Sequence, residues 1–254
     1  RSMKVLVIGE SCIDNFTYGE ANRLTPEAPV PVFNSFENII VEGMAMNVRN
    51  NIKSLGVEVG IHTNPNWRIV EKTRFIDHRT NHMFLRVDQN DHKISHTTNL
   101  RKIKFDQYDG VVISDYNKGF LTEEDIYYIS ENHDLVFLDT KKVLGDYCNN
   151  VEFIKINNSE YLKSENYAFA NKNIRDKLIV TLGSKGCMYK EHVFPVVKTE
   201  VKDVAGAGDT FIAGFTVKYL QTKDIVQSIQ FANECATIVV QKRGVSVVGQ
   251  DSVY

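Results

Sequence analysis

Short, nearly continuous apolar runs recur along the chain: KVLVIGE (4–10), GVVISDY (110–116), LVFLDT (135–140), VEFIKIN (151–157) and KLIVTLG (177–183). Runs without polar alternation suit strands that are buried on both faces. Helical periodicities lie between them. EGMAMNVRNNIKSLG (42–56) places Ala45, Val48, Ile52 and Leu55 on one face and stops at Gly56, which predicts a helix. LTEEDIYYISENH (121–133) reads as a helix capped by Thr122, with acids in its first turn. GCMYKE and HVFPVV predict a hairpin, and two further helices are predicted over 209–221 and about 224–241. Strands alternating with helices predict an α/β fold, with a mostly parallel central sheet flanked by helices on both faces.

Two segments break this rhythm. NFTYGEANRLTPEAPVPVFNSFE (15–37) and EKTRFIDHRTNHMFLRVDQND (71–91) alternate apolar and polar residues, the signature of a sheet with one wet face. Pro26, Pro29 and Pro31 suit an edge or a turn rather than a central strand. A small antiparallel flap standing off the main sheet explains both segments. A pair of unrelated surface hairpins explains them equally well.

Composition narrows the partners. With 254 residues, 43% hydrophobic and 24% charged, the chain is of ordinary globular type. A net charge of −2 lacks the basic excess of a nucleic-acid-binding surface. No apolar run approaches the roughly 18 residues of a membrane span, and RSMKVLVIGE enters a strand-like run with no secretory signal pattern. Cys12, Cys148, Cys187 and Cys235 show no CxxC spacing, so a reduced, cytoplasmic setting is expected rather than a disulfide framework. The pairs His78/His82 and His92/His96 fall in predicted hairpin and loop, where they make no helical metal motif.

The candidate chemistry sits in DVAGAGDTFIAGF (203–215). A helix N-terminus has free N–H groups and a partial positive charge. Small residues let an anion approach that backbone, and glycines allow several N–H groups to turn one way. Gly206, Ala207 and Gly208 therefore read as a cradle for a phosphoryl group. Asp209, a poor phosphate ligand, reads as a general base for an attacking hydroxyl. The plainer reading makes Asp209 a helix cap. No Lys-Ser/Thr follows the last glycine, so this is not a Walker loop, and VIGESC (7–12) lacks the GxGxxG of a dinucleotide site.

DVAGAGDTFIAGF resembles the DTxGAGD signature of the PfkB, or ribokinase-like, family of carbohydrate kinases, with Ala205 where Thr is usual. The resemblance spans nearly the whole chain. VLVIGESCIDNFTYG followed by RLTPEAPVPVF is similar to the opening of the heptose 7-phosphate kinase subgroup, also found as the N-terminal half of a bifunctional ADP-heptose synthase. VISDYNKGFLT, FLDTKK, KINNSEY, VTLGSKG and ANECATIVVQKRGVSVV follow in the family's order. The resemblance implies a single kinase domain over 3–254, with a small antiparallel β-lid formed by about 14–37 and 71–91.

It also implies roles. Asp209 matches the family base, with Gly206, Ala207 and Gly208 stabilising the transferred phosphoryl group. Asp14 matches an acid that binds sugar hydroxyls; the plainer reading is a turn acid. Gly43 and Asn47 match the sugar-binding GGxxxN element, with Glu42 replacing its first glycine. Asn157 and Glu160 match the NxxE element that organises Mg²⁺ and its waters, against an ordinary Asx turn. Thr181, Gly183, Gly186 and Asn233 match positions along the nucleotide. Asp203 resembles a residue that holds a monovalent cation, such as K⁺, in many members. Lys118 is placed to face an anion, or else is simply solvated. Arg74 and Arg86 on the flap are placed to grip a sugar phosphate, or are ordinary hairpin arginines.

The expected partners are ATP, Mg²⁺ and a sugar or sugar phosphate, with heptose 7-phosphate the leading acceptor. Dimerisation through the lid is implied by the family. Two departures stand out. LGVEVGIHTNPNWRIVEKTRF passes from a strand to the lid without the usual strand and helix, and Glu42 adds a carboxylate beside the sugar. They motivate a second reading, a kinase-like protein that binds nucleotide or sugar phosphate without turnover. A kinase for another acceptor, such as a nucleoside or fructose phosphate, is a third.

Overall fold

A computed structural model describes residues 2–251; residues 252–254, within the predicted domain limits, lie outside it. Strand β1 (Lys4–Gly9) leads into a long hairpin, β2 (Ser11–Leu24) and β3 (Pro31–Met44), then helix α1 (Ala45–Ser54). Strands β4 (Glu58–His62), β5 (Glu71–Asp77), β6 (Met83–Gln89) and β7 (Gly110–Asp115) follow. Next come α2 (Glu123–Asn132), β8 (Val136–Thr140), β9 (Phe153–Asn157), α3 (Asn158–Ala170), the short α4 (Lys172–Arg175) and β10 (Leu178–Thr181). A small hairpin, β11 (Cys187–Tyr189) and β12 (His192–Phe194), precedes α5 (Ala207–Thr222) and α6 (Ile225–Val240).

The central sheet has the order β12-β11-β10-β9-β8-β7-β1-β4. It is parallel from β4 to β10, and only β11 and β12 run antiparallel. Alternation along its apolar strands feeds two cores. Leu6, Ile8, Val111 and Ile113 pack with Ile126 and Ile129 of α2 on one face. Val5, Val7, Val112 and Phe137 pack with Val48 and Ile52 of α1 and with Phe211 and Phe215 of α5 on the other. This is the layering expected of a near-continuous apolar strand pattern. Thr122 caps α2, and its hydroxyl and the Asp125 carboxylate form a reciprocal capping box. Among the described residues no helix is long and apolar enough to cross a membrane.

The alternating segments join into one four-stranded sheet, order β3-β2-β5-β6. Its two hairpins are antiparallel, and their inner strands β2 and β5 run parallel. Pro26 and Pro29 fall in the β2–β3 turn, and Pro31 opens the edge strand β3. Between β4 and β5 the chain makes a single 3₁₀ turn, Trp67–Ile69, so the direct passage read from the sequence is the path taken.

One element needs correcting. The helix predicted from residue 42 begins at Ala45, because Glu42 and Gly43 pair with Ile13 and Cys12 as the end of β3. Met44, at φ 58°, makes the bend between strand and helix. Asp14 likewise lies inside β2 rather than in a turn.

Candidate active site

Gly206 caps α5 in the left-handed conformation, φ 79°, and no side chain caps this helix. A Cβ on Gly206 would lie 2.7 Å from Nδ2 of Asn47. Glycine is therefore required twice over, by the dihedral and by the close approach. Gly206, Ala207, Gly208 and Asp209 all line a cleft of about 870 Å³; no side chain caps this turn, and the Ala207 N–H donates to the Val204 carbonyl at 3.2 Å. Such an end attracts anions.

Asp209 is buried and does not cap its own helix. Its Oδ2 accepts from Asn47 Nδ2 at 3.0 Å and its Oδ1 from the Tyr116 hydroxyl at 2.7 Å. Burial pushes its carboxyl up to about 6, while those two hydrogen bonds pull the other way. A carboxylate tuned near neutrality, beside a bare helix N-terminus, suits proton abstraction from an alcohol. The capping role that sequence alone left open is excluded by this geometry.

Along the cleft wall stand Asn157, Thr181, Gly183, Gly186 and Asn233. Gly183 and Gly186 have φ of 61° and 91°, and a Cβ on Gly186 would meet the Phe194 carbonyl at 1.9 Å. Asn233 Nδ2 donates to that same carbonyl, fixing α6 to the hairpin. Asn157 and Glu160 form the capping box of α3: each side chain accepts from the other's backbone N–H. Glu160 also accepts from Lys141 Nζ at 2.6 Å. Both Glu160 oxygens and the Asn157 amide oxygen thus already accept from protein donors. Among the described residues no cluster of three or more His, Cys, Asp or Glu is set to hold a metal alone.

Tyr116, Asp139, Lys141 and Lys155 are among the lining residues that were given no role from sequence. Lys155 is buried in β9 and donates to Asp139 at 3.1 Å. Its ammonium reaches the cradle, since a Cβ on Gly208 would lie 2.8 Å from Nζ. Burial pushes the Asp139 carboxyl up against the pull of Lys155 and Lys141. The available signal was a lysine interrupting the apolar run VEFIKIN. Glu10, also passed over, is fully buried. Its carboxylate accepts from the backbone N–H groups of Tyr116, Lys118 and Phe120, holding the loop after β7.

Asp14, on β2 of the smaller sheet and not among the residues that line this cleft, pairs with Arg74 at 2.7 Å. A Cβ on Gly43 would lie 2.1 Å from Asp14 Oδ2, so the glycine makes room for that acid. Glu42, in the opposite strand alternation, has its carboxylate 3.5 Å from the Asn50 amide. Lys118, Arg86 and Asp203 do not line that cleft. Lys118 is paired with Asp91 at 2.9 Å instead of facing the cleft. Arg86, in register with Arg74, is half exposed and paired with Asp88. Asp203 accepts from the Ala205 N–H at 2.9 Å in the turn before the cradle.

A family profile described as pfkB family carbohydrate kinase matches residues 43–251. The chain is 30% identical to the bifunctional protein HldE of Helicobacter pylori strain J99 over 98% of its own length and 65% of that protein's. It is 31% identical to the bifunctional protein HldE of a Nitratiruptor species, covering 98% and 64%. It thus spans slightly under two thirds of these curated relatives. Among solved structures, the Arabidopsis thaliana ribokinase complexed with ribose and ATP superposes with a TM-score of 0.73 at 14% identity, covering 98% of this chain and 95% of that one. The ribokinase of Thermotoga maritima gives 0.70 at 16% identity, covering 96% and 94%. These likenesses establish a ribokinase-like fold.

Proposed function

The chain belongs to the pfkB family of carbohydrate kinases, and on that premise we propose that it transfers the γ-phosphoryl group of ATP to a sugar phosphate. The proposed acceptor is heptose 7-phosphate, phosphorylated at its anomeric hydroxyl to heptose 1,7-bisphosphate. One observation carries the reading: a bare helix N-terminus lines the cleft beside a buried carboxylate that does not cap it. The choice of heptose is supported by the HldE relatives and by the subgroup resemblance of RLTPEAPVPVF.

In this reading the triphosphate lies along Thr181, Gly183 and Gly186 toward Lys141 and Lys155, with Asn233 beside the base. The acceptor lies under the smaller sheet, held by Asp14, Gly43 and Asn47. Asp209 takes the proton from the attacking hydroxyl. The new O–P bond forms as the bond to the β-phosphate oxygen breaks, and ADP leaves. The amides of Gly206, Ala207 and Gly208, together with the Lys155 ammonium, receive the charge that develops on the phosphoryl oxygens. Asn157 and Glu160 would hold Mg²⁺ through waters, and the ion would supply charge neutralisation on the phosphates. The smaller sheet acts as a lid that excludes water from the transfer. Its exposed Phe36, Ile40 and Leu85 support dimerisation through the lid. The four cysteines are free and buried, in keeping with a cytoplasmic setting. K⁺ at Asp203 remains part of the proposal.

Glu42 turns away from Asp14, which favours turnover over the binding-only reading. The test is ADP formation with heptose, hexose and pentose acceptors, each with and without phosphate. Turnover on the order of 1–100 s⁻¹ with heptose 7-phosphate is the expected result. No ADP above the acceptor-free rate with any acceptor would overturn the kinase reading.

A further inference from the structure

Lys72 stands on β5 with its side chain buried. The β2–β5 register sets it beside Asp14 and sets Arg74 beside Phe16, so Lys72, Arg74 and Asp14 share one face of the smaller sheet. The other cations near the reacting groups are neutralised within the protein. Arg74 lies on Asp14 at 2.7 Å, Lys141 on Glu160 at 2.6 Å and Lys155 on Asp139 at 3.1 Å. Lys72 makes no such ion pair among the described residues: the register sets Asp14 beside it on β2 and Asp88 opposite it on β6, but these are paired with Arg74 and Arg86. Its Nζ lies 4.9 Å from the centre of the Tyr116 ring, and the hydroxyl of that ring donates to Asp209. Burying an ammonium without a counter-charge is costly, and an aromatic face offsets only part of that cost.

From this charge arrangement we infer that Lys72 is a specificity-determining residue of the acceptor pocket, set to pair with a negative charge carried by the acceptor itself. A sugar phosphate brings that charge; an unphosphorylated sugar leaves the ammonium unmatched. The inference rests on the reading of the cleft as a sugar kinase site and deepens it, because it assigns the choice of a phosphorylated acceptor to one side chain. Arg74 cannot fill the role alone, since its guanidinium is already committed to Asp14.

The experiment is calorimetric titration of the whole chain with two matched pairs: heptose 7-phosphate against heptose, and fructose 6-phosphate against fructose. Each is titrated with a non-hydrolysable ATP analogue present. Wild type is expected to prefer the phosphorylated member of at least one pair. Lys72→Met is expected to reduce that preference at least tenfold, and Lys72→Arg to keep most of it. Lys72→Gln serves in place of the Met variant if thermal unfolding shows that the latter does not fold. Three outcomes overturn the inference: no preference in wild type, an unchanged preference in Lys72→Met, or an equal loss of both members of a pair. Preference that depends on Lys72, but without ADP formation when ATP replaces the analogue, would support the inference and overturn the proposed turnover.

Discussion

The hydroxyl of Tyr116 donates to Oδ1 of Asp209 across 2.7 Å, tying the loop after β7 to the first turn of α5. That bond stabilises the charged carboxylate and opposes the burial that pushes Asp209 up to about 6. As a base, Asp209 is active when deprotonated, so the rate should fall as pH drops through this value. Tyr116→Phe removes one donor and should raise the pKa further. A hydrogen bond to a charged group contributes about 1.5–3 kcal/mol, so the acid limb of the kcat/KM profile should move up by about one to two pH units. An unmoved limb would mean that another group controls the profile.

Asp209→Asn should separate activity from stability. Loss of a positioned base costs about 10²- to 10⁴-fold in kcat. The carboxyl is raised from 3.8 to about 6 in the fold. Between these values the folded protein binds more protons than the unfolded chain, so the charged form destabilises the fold increasingly as pH rises. The variant should therefore be more stable than wild type at pH 8, by about 3 kcal/mol from the size of the shift. The gain should fade toward pH 4, where the folded carboxyl is neutral and the unfolded one is beginning to be protonated. Denaturant unfolding at the two pH values measures this. Equal stability changes at both would show that burial of the charge is not the cause.

Much of this architecture was readable because apolar runs and periodicity report burial directly. KVLVIGE, GVVISDY and LVFLDT have few polar interruptions, and all are central strands. The helix at 42–56 was started too early, since Glu42 and Gly43 owe their extended state to pairing with β2, a contact distant in sequence. The same holds for the site. Asp209 and its glycines were legible as one contiguous motif. Tyr116, Asp139 and Lys155 come from three different strand ends, and no local pattern states that they meet at one cleft. The pairing of Lys118 with Asp91 was not legible, since Asp91 opens a 3₁₀ turn whose approach to the loop after β7 no local pattern declares.

Gly208→Ala tests the cradle with little disturbance elsewhere. Gly208 does not have a positive φ, and its added Cβ would meet the Lys155 ammonium at 2.8 Å, the far end of a flexible side chain. The lysine can move aside, so thermal stability should change by less than about 1 kcal/mol; alanine also favours a helix over glycine. The displaced ammonium and the narrowed approach to the amides should nevertheless lower kcat by about 10²-fold, the scale of losing one oxyanion donor. A variant with normal kcat would remove both groups from the transfer step.

Arg243 tests how the lid is held. It lies just beyond α6, with its guanidinium carbon 4.0 Å from the centre of the Tyr18 ring on β2. Nη1 lies 3.2 Å from Glu37 on β3, and Nη2 donates to the His78 carbonyl just past β5. One side chain thus fastens three parts of the smaller sheet to the body. Next to it, Val245 packs with Phe16, Tyr18 and Ile76, and Ala205 of the cradle turn joins the same cluster. The turn that positions the phosphoryl group therefore rests against the lid. A cation over an aromatic ring contributes about 0.5–2 kcal/mol, and a partly exposed ion pair about 0–1 kcal/mol. Arg243→Ala should thus loosen the lid without unfolding the protein, raising the acceptor KM by about tenfold. Because a loosened lid admits water to the γ-phosphate, ATP hydrolysis without acceptor should rise relative to transfer. The ratio of acceptor-free to acceptor-dependent ADP release measures this directly. If that ratio is unchanged while stability falls, Arg243 holds the fold together but does not latch the lid.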